Sequence, residues 1–121
     1  MARIYGTCPA CGLSSADHQV SDIASARPSD HDTQLRALEM AIGRRDWQRA
    51  SEIQEFRGTD DAIVYSLLRC PHSGTIVLLR LESFFELFAD DRVTDRWILS
   101  SEEVESAMRA VGDEWKAVGE R

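Results

Sequence analysis

Two short segments carry the residues best suited to chemistry, Cys8-Pro9-Ala10-Cys11-Gly12 and Cys70-Pro71-His72-Ser73-Gly74. In the first, two thiols three positions apart reach one tetrahedral ion when the backbone turns sharply between them. Pro9 stiffens that turn, and Gly12 lets the chain leave it with positive φ. The second segment repeats the pattern with Ser73 where the first has its second cysteine. A structural Zn²⁺ takes four ligands. Cys8, Cys11 and Cys70 supply three, and His72 is the nearest candidate for the fourth because its neighbour Cys70 already stands at the ion. His18 and His31 lie in the stretch between the segments and could fold back instead. Ser73 is a poor exchange for a thiolate, so the sequence leaves a second reading open, a degenerate site that has lost its metal.

The pairing of two such knuckles, the later at the tip of a predicted β-hairpin, resembles the zinc ribbons. The resemblance rests on two five-residue motifs and the hairpin, and it says nothing about the rest of the chain. It implies Zn²⁺ as cofactor and, for function, an adaptor docked on transcription or translation machinery. The other readings of these thiols are weaker. A thioredoxin-like Cys-x-x-Cys pair opens a helix after a strand, whereas here a Ser-rich stretch follows. Cys70 and His72 as nucleophile and base lack a third orienting residue. There is no phosphate loop, His-Glu-x-x-His, Gly-x-Ser-x-Gly or dinucleotide fingerprint. An enzyme is therefore the last of the functional readings.

The elements that must hold these motifs follow from periodicity. A short strand is expected ahead of Gly12, and residues 14–32, rich in Ser, Asp and Ala, read as loop or linker. Leu35, Leu38, Ala41 and Ile42 fall at helical spacing; Gly43 to Asp46 breaks that helix, and a second one carries Trp47, Ala50, Ile53 and Phe56. Residues 62–69 and 75–81 read as two strands joined by the second knuckle. Residues 83–89 suit either a bent strand or a helix, with the strand preferred, and residues 93–99 read as a further strand. Ser100 or Ser101 caps a last helix, with Glu102, Glu103 and Glu105 in its early turns and Val104, Ala107, Met108, Val111 and Trp115 on its apolar face. The expected class is α+β, a single domain over residues 1–121. A helical hairpin and a C-terminal helix pack on a mainly antiparallel sheet, with the knuckle-like turns at one end.

Composition bounds the function. The 121 residues are 43% hydrophobic and 29% charged, the profile of an ordinary soluble domain, and 14 basic against 21 acidic residues give a net charge of −7. Acid is concentrated in the second half: residues 1–57 hold 7 basic and 8 acidic side chains, and residues 58–121 hold 7 and 13. Direct nucleic-acid contact needs clustered Lys and Arg, and the only such group is Arg44, Arg45 and Arg49. No apolar run is long enough for a membrane span. No export signal precedes the first cysteine, so a cytoplasmic protein with reduced thiols is expected.

A small acidic chain without catalytic motifs resembles, in type, the bacterial immunity proteins that block a cognate toxin. That resemblance implies a non-enzymatic inhibitor that occludes the active site of a basic toxin or effector. Asp60, Asp61, Asp90, Asp91, Asp95 and Glu102 are the candidate contact residues, chosen for charge alone.

Overall fold

Two long strands that carry apolar residues on both faces set the architecture. In the computed structural model, which describes residues 8, 10–13, 17–26, 33–53, 62–83 and 92–117, strands β1 (Gln19–Ala26), β2 (Ala62–Arg69), β3 (Ile76–Ser83), β4 (Arg92–Ile98) and β5 (Lys116–Ala117) form one sheet. The order is β4-β3-β2-β1-β5, and every neighbouring pair is antiparallel. Leu67 pairs with Leu78 and Leu68 with Val77. Side chains alternate across a strand, so these two adjacent pairs feed opposite faces of the sheet. Leu67 and Leu78 join the larger apolar cluster, which takes in the helices; Leu68 and Val77 join a smaller one with Val64, Leu79, Leu81, Cys8 and Cys70. The expected α+β class is the observed one.

The strand β1 lies inside the segment read from sequence as linker. Much of it is made of small residues, Ser21, Ala24, Ser25 and Ala26, and all four are buried. Their burial explains the misreading. Strand propensity favours β-branched and aromatic residues on a half-buried surface, whereas β1 lies between β2 and β5 with helices packed against it, where small side chains fit. A β-bulge between Asp22 and Ala24 adds one residue and brings Ile23 and Ala24 into the same cluster. The expected strand before Gly12 and the ambiguous run after Ser83 lie outside the described residues, as does Phe56.

The helical hairpin is α1 (Thr33–Gly43) and α2 (Trp47–Glu52), with Leu38, Ala41, Ile42, Trp47 and Ala50 buried. Asp46 caps α2 by accepting from Arg49 N–H at 3.1 Å. Arg45, in the turn, takes a left-handed φ of +56°, a conformation that disfavours a side chain. Its guanidinium offsets this: Nη1 donates to Ile42 O at 2.7 Å and Nε to Glu103 Oε2 at 2.6 Å. The turn is thereby tied to the start of α3 (Ser101–Val111).

The cap of α3 matches its sequence signature. The Ser100 hydroxyl accepts from Glu103 N–H at 3.3 Å, and Glu103 Oε1 accepts from Ser100 N–H at 2.8 Å. The Ser100 backbone N–H, its hydroxyl and Arg45 hold the Glu103 carboxyl below its ordinary pKa, against a smaller upward push from burial. Replacing Ser100 with alanine is expected to lower stability by about 0.5–2 kcal/mol in urea unfolding, the usual cost of losing such a cap. A cost within error would mean that the Glu103–Arg45 pair carries this end of the helix instead. Met108, expected on the buried face, is 40% exposed, while Ala107 and Val111 are buried.

Candidate metal centre

The two cysteine motifs fold into equivalent turns. In the first, Cys8 N–H donates to Leu13 O at 2.8 Å and Gly12 N–H to Cys8 O at 2.9 Å. In the second, Cys70 N–H donates to Thr75 O at 2.9 Å and Gly74 N–H to Cys70 O at 3.0 Å. Gly12 and Gly74 leave the turns at φ +74° and +71°, a region open to glycine and costly for residues with a Cβ. The internal match in the sequence is thus a match in backbone geometry.

Sheet register then brings the turns together. Gln19 pairs with Arg69 at the end of the β1–β2 ladder, so the residues one step beyond, His18 and Cys70, flank each other across it. One ligand atom each from Cys8, Cys11, His18 and Cys70 lies within 4.8 Å of the others, an arrangement that could hold a metal ion. Cys8, Cys70 and His18 are fully buried and Cys11 is half-buried. Cys11 Sγ approaches His18 Nε2 to 3.5 Å, and Ala10 N–H points at Cys8 Sγ from 3.3 Å.

Of the residues singled out from sequence, Cys8, Cys11 and Cys70 converge, but His72 is not in this group of four. The equivalence of the turns gives the reason. His72 corresponds to Ala10, the third position of the motif, whereas the thiols of the first turn come from its first and fourth. His72 is exposed, and its Nε2 donates instead to Asp17 Oδ2 at 2.9 Å. Its place is taken by His18, which the sequence offered only as one of two loop histidines. Ser73 keeps a role without ligating, since it hydrogen-bonds Cys70 and its hydroxyl accepts from Thr75 N–H at 3.3 Å.

The thiols differ in their readiness to ionise. Burial pushes Cys11 above the ordinary thiol pKa, and the neighbouring Cys70 and Cys8 add to the effect, against a hydrogen bond from the Leu13 backbone. Burial also pushes Cys70 upward. There, hydrogen bonds from the Ser73 hydroxyl, the backbone N–H groups of Ser73 and His72, and Cys11 outweigh it and bring the thiol down to about 6. In metal-free protein, thiolate absorbance in the ultraviolet is therefore expected to show a first step centred near pH 6 from Cys70. Cys11 ionises only above the ordinary range. A metal ion must displace the Cys11 proton at neutral pH, and that of Cys70 as well once the pH falls below about 6, so apparent affinity drops as pH falls. A single thiolate step near the ordinary thiol value would refute this assignment.

Asp60, Asp61, Asp90 and Asp91 lie outside the described residues. Asp95 and Glu102 are exposed, on β4 and in the first turn of α3. A separate hollow of about 410 Å³ is lined by Ser21, Asp22, Trp47, Ser51 and Glu114 among others, and it shares no residue with the cysteine cluster. Among the described residues, no helix is long and apolar enough to cross a membrane. Set against known proteins, the chain matches no family model, no curated protein and no solved structure.

Proposed function

We propose that Cys8, Cys11, Cys70 and His18 hold one structural Zn²⁺ in a zinc-ribbon-like centre, and that the chain is a non-catalytic protein that binds and occludes a basic protein partner. The observation that carries the reading is the closed four-residue donor set. Three thiols and an imidazole are the soft, borderline donors that suit Zn²⁺. A tetrahedral ion with Zn–S near 2.3 Å and Zn–N near 2.05 Å puts sulfur and nitrogen about 3.5 Å apart, and Cys11 Sγ stands 3.5 Å from His18 Nε2. Four protein ligands fill the tetrahedron and leave no position for substrate, which is the pattern of structural rather than catalytic zinc. Metal analysis of protein purified without chelator tests this, with one zinc per chain expected and a ratio near zero fatal.

The partner is argued from charge. The net charge of −7 favours a basic surface. The one basic cluster is partly engaged within the chain, with Arg45 on Glu103 and Arg49 Nη1 3.6 Å from Glu52. Occlusion of a toxin-like active site, in the manner of immunity proteins, would use Asp95 and Glu102 with the acidic pairs 60–61 and 90–91. Affinity capture from the host at moderate salt is expected to return one stoichiometric basic enzyme, lost at high salt. Recovery of polymerase or ribosome components would instead favour the zinc-ribbon adaptor, the reading that the paired knuckles support.

A further inference from the structure

The ligand set leaves two side chains at its margin, Asp17 and His72, which a four-residue description does not use. They are joined to it through one carboxylate. His18 Nδ1 lies 2.9 Å from Asp17 Oδ1, and His72 Nε2 lies 2.9 Å from Asp17 Oδ2. An ionised carboxylate only accepts hydrogen bonds, so both ring nitrogens must donate. For His18 this decides the tautomer: with the proton on Nδ1, the Nε2 lone pair is left for the thiol side, where Cys11 Sγ is 3.5 Å away. The two rings stand 5.5 Å apart at 53°. His18 precedes β1 and His72 belongs to the turn between β2 and β3, so the carboxylate spans 55 residues of sequence and links the two sides of the centre.

Resting on the zinc reading above, we propose that Asp17 is the positioning residue of the metal centre. Its carboxylate fixes His18 with Nε2 toward the ion and, through His72, latches the second turn against the first. Histidine ligands are commonly oriented in this way, and loss of the carboxylate typically costs 10–100-fold in metal affinity. The same three residues could alternatively be ligands themselves, because Asp17, His18 and His72 also bring one donor atom each within 4.8 Å of one another. The two roles exclude each other, since His18 Nδ1 cannot both keep its proton and bind an ion.

The test uses the full chain, zinc and a competing chelator. Wild type is expected to bind one Zn²⁺, with a slowly exchanging His18 Nδ1 proton visible by ¹⁵N-edited NMR. Asp17→Ala is expected to keep the stoichiometry and the circular dichroism of the sheet while losing about 10–100-fold in affinity and the protection of that proton. Asp17→Asn retains one acceptor oxygen and should recover part of the loss; His72→Gln retains a donor and should lose least. Wild-type affinity and a protected proton in Asp17→Ala would overturn the proposal while leaving the zinc centre standing. Two Zn²⁺ per chain with no Nδ1 proton would overturn it in favour of a second ion on Asp17, His18 and His72. Failure of the wild type itself to bind zinc would remove both this proposal and the reading beneath it.

Discussion

Cys70→Ser is expected to lower the midpoint of thermal unfolding by about 15 °C in the presence of zinc, and to leave a protein whose unfolding no longer responds to chelator. A ligand that binds only the native state stabilises it by about 4 kcal/mol at a thousand times its Kd. In a domain of this size 1 kcal/mol moves the midpoint by about 4 °C. Cys70 closes the centre from the β2–β3 turn, while Cys8, Cys11 and His18 come from the chain before β1. Its loss therefore removes the thiol that would join the second turn to the ion, leaving the Asp17–His72 contact across the centre. The larger apolar cluster contains none of the four ligands, so the helices should survive and far-ultraviolet circular dichroism at 20 °C should change little. Chelator added to wild type should reproduce the lower midpoint, and the two treatments should not add. A wild-type midpoint indifferent to chelator would mean that the cluster contributes nothing through a metal.

His18→Ala and His72→Ala are expected to part company. His18 is fully buried with Nε2 beside Cys11, whereas His72 is 41% exposed on its side chain and hydrogen-bonds Asp17. Removing His18 leaves three thiols and an open position that water can enter, changing the closed pattern of a structural site to the open one of catalytic zinc. The loss should exceed the 10–100-fold typical of outer-sphere residues, and zinc should leave during purification. His72→Ala should stay within that range and keep one zinc per chain. The measurement is zinc content and chelator competition on both variants in parallel. If His72→Ala lost the metal and His18→Ala kept it, the ligand assignment drawn from the turn geometry would fall.

Local patterns made much of this architecture legible. The helix from Ser101 announces itself through Ser100 and Glu103, three residues apart, because a capping box satisfies orphan backbone groups with neighbours in the chain. The β2–β3 hairpin is readable for the same reason: two nearly continuous apolar runs meet at a turn whose glycine must take positive φ. Three of the four candidate ligands were visible as well, since a Cys-x-x-Cys turn and its Cys-x-x-Ser copy declare themselves by spacing.

The strand β1 and the candidate ligand His18 were not legible, and both failures have one cause. Ser21, Ala24, Ser25 and Ala26 carry no strand signal of their own and become a strand because helices and neighbouring strands close around them. His18 sits one residue before that strand, so its position opposite Cys70 exists only once the β1–β2 register is set. From sequence, His72 looked the nearer candidate ligand because it is two residues from Cys70. Within the turn, however, its position corresponds to Ala10, and its ring bonds to Asp17. The amino-acid sequence by itself determined the helices, the central hairpin and three thiols, each a product of interactions within a few residues. Only the tertiary structure decided which histidine joins them, because that depends on a pairing between residues some fifty positions apart.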